Sequence, residues 1–171
     1  MTLVPDLYCD DIYGITPEYL KEKGVEAVIL DIDNTLVPYE IAEPTDEVRA
    51  WLTALTEAGI KIAFVSNNHA PRVELFNKTL GYPAFPDSGK PFKKACRAAM
   101  EAMESKPENT AIIGDQVFTD VLAGRNAGLV CALLVKPIKD KTNLFFRTKR
   151  LMEVPILKKY KKLHPETEKG N

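Results

Sequence analysis

The chain has 171 residues, 45% of them hydrophobic and 27% charged, and a formal net charge of −1. A chain of this length can bury a substantial core as one domain without disulfides, and its three cysteines cannot all pair. Cys131 lies in an apolar run and predicts a core thiol in a reducing compartment. No apolar run approaches the roughly 20 residues that span a bilayer, and the N-terminus lacks the pattern of a signal peptide, so we expect a cytoplasmic protein.

Apolar, β-rich runs alternate with helical stretches along the chain, which predicts an α/β fold around a parallel sheet. The five predicted strands are Val25–Leu30, Ile60–Val65, Tyr82–Phe85, Thr110–Ile113 and Leu129–Val135. The predicted helices are Thr16–Lys23, Asp46–Ala58, Arg72–Leu80, Phe92–Met103 and Val117–Ala127. Because the turns after parallel strands share one edge of a sheet, residues far apart in sequence can meet there.

The first predicted strand ends in two acids, Asp31 and Asp33, which Thr35 follows. Two like charges one residue apart raise each other's pKa and cost desolvation energy unless a cation or a proton relieves them. A helix N-cap would explain one acid, but it does not explain two acids and a hydroxyl. We therefore interpret this turn as part of a functional site.

Three later turns carry polar side chains that reach the same predicted edge. They contain Ser66, Asn67, Asn68 and His69, then Lys90, and then Asp115 and Asp120. Lys90 stands just before a predicted helix start, where the helix dipole opposes a cation, so a bound anion would explain it. Stabilising the dipole of the next helix is an alternative role for the two acids, and for Asp120 it stays competitive. His69 is expected to be exposed.

Taken in order, these turns resemble the four motifs of the haloacid dehalogenase (HAD) superfamily. The matching features are DxDxT at residues 31–35, Ser66 after the second strand, the isolated Lys90, and the acidic pair after the fourth strand. The resemblance covers roughly residues 25–135 and implies a Rossmann-like HAD fold. It also implies that Asp31 is a nucleophile that forms an aspartyl-phosphate, and that Asp33 serves as general acid and base.

The resemblance further implies how the site binds metal and phosphate. Mg²⁺ would be held by Asp31, the main-chain carbonyl of Asp33 and Asp115, with Asp120 supporting that shell. The residues implied to bind the substrate phosphate are Thr35, Ser66, Asn67 and Lys90. An ordinary turn role is the alternative for Ser66 and for Thr35.

The spacing of the motifs excludes an inserted cap domain, because only 34 residues separate Asp31 from Ser66 and 23 separate Ser66 from Lys90. We therefore expect an open site. Segments 15–18, 31–37, 65–68 and 114–121 resemble the capless IIIA branch that contains the YqeG-like proteins. That branch is related to the phosphatidylglycerophosphate phosphatases, which implies dephosphorylation of phosphatidylglycerophosphate to phosphatidylglycerol.

Two alternatives to the lipid phosphatase stay open. One is a phosphatase for a soluble sugar phosphate, a nucleotide or a phosphoprotein. The other is a non-catalytic phosphate-binding or regulatory protein, although a pure binding module does not need both Asp31 and Asp33.

The end of the chain differs in charge from the rest. Residues 136–171 carry a balance of +7 and residues 1–135 a balance of −8, so we divide the chain into a core, 1–141, and a basic amphipathic tail, 142–171. Mixed basic and apolar residues favour peripheral contact with an anionic membrane, here the inner face of the cell membrane. Packing of Phe145, Phe146 and Leu151 on the sheet is an equal alternative. No nucleic-acid motif is present, so no nucleic acid is expected as a partner.

Overall fold

The structure, a computed structural model, describes residues 2–139 and 144–165, and in the last helix the side chains from Arg147 onward. The strands are β1 (Leu7–Cys9), β2 (Ala27–Leu30), β3 (Lys61–Val65), β4 (Ala84–Phe85), β5 (Thr110–Gly114) and β6 (Cys131–Val135). The helices are α1 (Pro17–Glu22), α2 (Asp46–Glu57), α3 (Ala70–Asn77), α4 (Lys94–Ala102), α5 (Leu122–Ala127) and α6 (Leu144–Leu163).

One sheet joins all six strands in the order β1-β6-β5-β2-β3-β4, and every neighbouring pair is parallel. The central strand β2 lies between β5 and β3, with Ile29 opposite both Ile112 and Ala63. All four residues of β2 are buried, as expected for a parallel strand covered on both faces. The predicted α/β class is confirmed.

The sheet has six strands, so the predicted number of five is wrong. The additional strand β1 pairs with β6 at the edge of the sheet, with Tyr8 opposite Leu134. Its three residues are only half-buried, so they show neither a long apolar run nor a clear alternation. Two hydrogen bonds between side chains and the backbone anchor this segment: Asp6 Oδ2 accepts from Ala132 N, and Arg125 Nη2 donates to the Val4 carbonyl.

Side chains that alternate along each strand build two cores, one on each face of the sheet. Val28 and Leu30 face the core formed with α1, α2 and α3, whereas Ala27 and Ile29 face the core formed with α4 and α5. Helix α2 shows why the first layer is stable. Its Thr45 cap accepts a hydrogen bond from Val48 N at 3.3 Å, and it presents buried apolar residues at helical spacing.

The predicted helices are found with shifted ends. Helix α3 begins at Ala70, two residues before its predicted start. Helix α4 begins at Lys94, so Phe92 lies outside it and is 75% exposed. The predicted helix Val117–Ala127 starts with a π-helical turn over Val117–Val121. Only α2 and β3 occupy the interval from Asp31 to Ser66, and only α3 and β4 that from Ser66 to Lys90, so the absence of a cap domain is confirmed.

Helix α6 packs one face on the second core. Ile156 and Leu157 contact that core, and Tyr160, only 1% exposed, meets Tyr8 edge to face at 6.0 Å. The alternative in which Leu151 packs on the sheet is wrong for this residue, because Leu151 is 71% exposed.

Other predictions for the end of the chain lie outside the described residues. These are the side chains of Phe145 and Phe146 and the boundary between residues 141 and 142. In the part of the chain that the structure describes, no helix is long and apolar enough to cross a membrane.

Two leucines on neighbouring helices provide a test of this packing. Leu55 on α2 is fully buried and Leu75 on α3 is 43% exposed. We expect Leu55→Ala to lower the free energy of unfolding by about 2–5 kcal/mol, because the change leaves a cavity. Leu75→Ala should cost about 1 kcal/mol or less. Urea denaturation followed by circular dichroism measures both, and equal losses would contradict the assigned core.

Candidate active site

Three buried acids meet at the carboxyl end of the sheet. Asp31 follows β2, and Asp115 and Asp120 follow β5, its neighbour. One carboxylate oxygen from each lies within 4.8 Å of the others, and none of the three residues is more than 8% exposed. The parallel topology therefore brings Asp31 close to two acids that lie more than 80 positions later in the sequence.

Lys90 lies between two of these acids. Its Nζ donates to Asp31 Oδ1 at 2.7 Å and to Asp120 Oδ1 at 2.6 Å. Burial alone would lower the pKa of Lys90, but Asp120 and Asp31 outweigh it and raise the pKa above its usual value. Burial raises the pKa of Asp31 to about 6, although Lys90 opposes this shift. The cation that appeared out of place in the sequence is thus bound by two carboxylates.

Asp115 has one oxygen bound and one oxygen open. Arg150 from α6 donates from Nη2 to Asp115 Oδ2 at 2.5 Å. Asp115 Oδ1 is buried and has no hydrogen-bond partner among the described residues. Burial, with Asp31 and Asp120 nearby, raises the pKa of Asp115 to about 7, whereas Arg150 lowers it. A buried carboxylate oxygen without a donor is a site that a cation can fill.

Asp120 is held by donors on both oxygens. Lys90 binds Oδ1, whereas Oδ2 accepts from Gln116 N at 3.1 Å and from Thr119 Oγ1 at 3.3 Å. Gly114 makes this position accessible, because a Cβ at residue 114 would lie 2.2 Å from Asp120 Cγ. Asp120 thus organises the turn after β5, consistent with a supporting role.

The donor set of this cluster suits a hard divalent cation. Mg²⁺ prefers oxygen ligands and binds through one or two carboxylates while it keeps some of its water. Asp31 and Asp115 can each offer an oxygen, and the open Oδ1 of Asp115 is the clearest ligand atom. Asp120 belongs to the same cluster, and the oxygens of both Asp31 and Asp120 already accept hydrogen bonds from protein donors. The predicted role of the Asp33 carbonyl as a ligand stays a prediction.

Asp33 is held separately from Asp31. Arg72 on α3 donates to Asp33 Oδ1 from Nε at 3.1 Å and from Nη2 at 2.9 Å. Asn68 donates from Nδ2 to Oδ2 at 2.9 Å. Arg72 also binds the main-chain carbonyls of Ile41 and Ala42, so it fastens the loop before α2 to the site. The two acids of the DxD turn therefore have different partners.

Three predicted phosphate ligands bind other protein groups in this structure. Thr35 donates from Oγ1 to Asp31 Oδ2 at 3.1 Å, and Ser66 Oγ accepts from Asn68 N at 3.1 Å. Asn67 accepts from Lys90 N at 2.7 Å and donates to the Lys90 carbonyl at 3.1 Å. Asn67 thus fixes the loop that carries Lys90, and phosphate binding by these residues stays a prediction.

The sequence analysis missed Arg72, Arg150 and Glu153. Arg72 occupies an ordinary helix position, and no local pattern connects it to Asp33. Glu153 could have been found from the sequence, because a single acid among the seven Lys and Arg residues of α6 indicates a specific partner. His69 is exposed as expected, and its Nδ1 lies 2.6 Å from Asp87 Oδ1.

Comparisons with known proteins agree with this geometry. The family model described as haloacid dehalogenase-like hydrolase matches residues 20–128. The chain is 40% identical over 159 residues to the "Probable phosphatase YqeG" of Bacillus subtilis, covering 93% of this chain and 92% of that protein.

Solved structures show the same fold at lower identity. The cobalt-bound deoxy-D-mannose-octulosonate 8-phosphate phosphatase of Haemophilus influenzae is similar with a TM-score of 0.57 and 20% identity, covering 82% of this chain and 91% of that one. The 3-deoxy-D-manno-octulosonate 8-phosphate phosphatase of Yersinia pestis is similar with a TM-score of 0.52 and 19% identity. This similarity covers 76% of this chain and 72% of that one. The resemblance inferred from the motifs is confirmed: the chain belongs to the haloacid dehalogenase-like hydrolase family and is an enzyme of the phosphatase class.

Proposed function

We propose that this phosphatase is Mg²⁺-dependent, acts through a phospho-Asp31 intermediate, and dephosphorylates phosphatidylglycerophosphate. The observation that carries the chemistry is the position of Asp31. Its carboxylate is buried between Lys90 and Thr35, in a cluster with Asp115, whose Oδ1 has no donor among the described residues. Phosphoryl transfer depends mainly on positioning and charge neutralisation, and this arrangement provides both.

In the first step, an oxygen of Asp31 attacks the phosphorus and the bond to the leaving oxygen breaks. Asp33 gives its proton to the leaving alkoxide. Mg²⁺, when bound, neutralises charge between the carboxylate and the phosphate dianion. Lys90 holds the attacking carboxylate in place through its bond to Oδ1.

In the second step, Asp33 takes a proton from a water molecule, and that water attacks the phosphorus of phospho-Asp31. The bond to Asp31 breaks, inorganic phosphate leaves, and the carboxylate is restored. Arg72 donates to Oδ1 of Asp33, and Asn68 donates to Oδ2. Their contacts fix the direction in which Asp33 faces.

The absence of a cap and the surface of α6 support a lipid substrate. Without an inserted domain above the site, a phosphate borne on a membrane surface has access to it. The outward face of α6 combines exposed Leu151 and Met152 with exposed Lys158, Lys159 and Lys162. Such a surface suits an anionic membrane interface, because apolar side chains enter it while lysines attract its headgroups.

The mechanism can be tested with p-nitrophenyl phosphate and Mg²⁺. We expect Asp31→Asn to reduce turnover by at least about 1,000-fold, because the nucleophile is lost. Asp33→Asn should release about one nitrophenolate per enzyme in a burst and then turn over slowly, since this leaving group needs no proton but the intermediate still needs a base.

Asp46→Asn is the matched control, because Asp46 is exposed at the start of α2. Its turnover should stay within about twofold of the native value. Turnover that survives Asp31→Asn would remove the proposed nucleophile, and Asp33→Asn turnover without a burst would remove the proposed role of Asp33.

The substrate can be tested with phosphatidylglycerophosphate in mixed vesicles. We expect its kcat/KM to exceed that of glycerol 3-phosphate, the matched soluble fragment, by at least about tenfold, because remote binding energy contributes to catalysis. Glucose 6-phosphate, AMP and a phosphopeptide represent the soluble alternatives. A soluble compound that is hydrolysed as well as the lipid would contradict the lipid assignment and leave the phosphatase chemistry intact.

The membrane surface can be tested by reversing charges on the outward face of α6. The double variant Lys158→Glu/Lys162→Glu should bind phosphatidylglycerol vesicles at least about tenfold more weakly in a sedimentation assay. Each basic residue contributes about 1 kcal/mol of attraction to an anionic surface. Lys21→Glu/Lys78→Glu changes the net charge equally at exposed positions elsewhere. Hydrolysis of p-nitrophenyl phosphate should persist in both variants. Equal binding by the two variants would exclude α6 as the membrane contact.

A further inference from the structure

Glu153 is a buried acid on a basic helix. It is 2% exposed and is the only Asp or Glu of α6. Burying a carboxylate is costly unless it is paired and hydrogen-bonded, so its partners indicate what the helix does at this point. Those partners lie in the turn after β5 and on α6 itself.

Both oxygens of Glu153 are engaged. Oε1 accepts from Val117 N at 2.8 Å, and Oε2 accepts from Arg150 Nη1 at 2.9 Å. Val117 begins the π-helical turn that leads into α5, where main-chain N–H groups lack partners within the helix. Glu153 therefore caps this turn and also holds Arg150.

Arg150 binds two atoms of one residue. Nη1 donates to the Asp115 carbonyl at 2.5 Å, and Nη2 donates to Asp115 Oδ2 at 2.5 Å. The main chain and the side chain of Asp115 are thus fixed by a single planar guanidinium. Because Arg150 occupies Oδ2, the oxygen that stays open is Oδ1.

This contact comes from outside the segment that the family model matches. The match ends at residue 128, whereas α6 spans Leu144–Leu163. Arg150 and Glu153, which we call the α6 clamp, therefore add to the shared catalytic core. The α6 clamp also borders a cavity of about 330 Å³ beside Asp115.

We propose that Arg150, held by Glu153, is a positioning residue that fixes the Asp115 carboxylate for the divalent cation. This inference rests on the proposed function, because it takes the buried acid cluster as the metal site. Groups that orient a metal ligand typically change metal affinity by about 10–100-fold when they are removed. Helix α6 is then part of the catalytic unit.

The test measures Mn²⁺ binding by electron paramagnetic resonance, a readout that does not depend on turnover. Arg150→Met should raise the Kd for Mn²⁺ by at least about tenfold. Arg150→Lys keeps the charge but cannot bind both atoms of Asp115 in the same way, so its Kd should also rise. The concentration of Mg²⁺ needed for half-maximal turnover should rise in parallel, whereas kcat at saturating Mg²⁺ should fall less.

Arg147→Met is the matched control, because Arg147 is an exposed arginine on the same helix. It should bind Mn²⁺ within about twofold of the native protein. Near-ultraviolet circular dichroism without metal shows whether each variant is folded. If Arg150→Met does not fold, Arg150→Lys decides the question.

Mn²⁺ binding by the Arg150 variants that is unchanged, or tighter because a competing cation is gone, would overturn the proposal. Asp115→Asn separates this failure from a failure of the metal assignment. If Asp115→Asn loses Mn²⁺ while the Arg150 variants keep it, only the α6 clamp is refuted. If the native protein and Asp115→Asn bind Mn²⁺ equally, the metal site and the α6 clamp are refuted together.

Discussion

The site depends on the repulsion among three buried carboxylates, those of Asp31, Asp115 and Asp120. Their oxygens lie within 4.8 Å of one another, and burial raises the pKa of Asp31 and that of Asp115. Lys90 offsets the negative charges of Asp31 and Asp120, and Arg150 offsets that of Asp115. Arg150 also pairs with Glu153, so two cations face four carboxylates among the described residues. A divalent cation would balance the remaining charge, and Asp115 Oδ1, which has no donor in the described part of the chain, is open to it.

The topology and a few close contacts make this cluster geometrically feasible. Leu30 and Ile113 are opposite each other on adjacent strands, and Asp31 N donates to the Ile113 carbonyl at 3.0 Å. The turns that follow β2 and β5 are therefore side by side. The missing side chain of Gly114 lets Asp120 fold back under this edge. The turns after β2 and β5 must therefore bring the carboxylates together within reach of the two cations that offset their charge.

The sequence was sufficient to predict the parts of the site that follow strands. Asp31 and Asp115 come directly after apolar runs, so strand order alone places them at one edge. Arg72 and Arg150 could not be predicted in this way, because helix positions are read from apolar periodicity and polar positions carry little positional information. The short edge strand β1 was missed because its stability comes from pairing with β6 rather than from its own pattern.

The two proposals give helix α6 two roles, and these roles constrain each other. Its inner face holds Asp115 through Arg150, so the helix cannot leave the core without loosening that residue. Its outward face carries exposed Leu151 and Lys158. A membrane contact through this face must therefore leave the inner face packed. Since a helix with its side chains is about 10 Å wide, the proposed lipid surface would lie about one helix diameter from Asp115. Under this proposal, a headgroup phosphate would reach the site without removal of the helix that orders it.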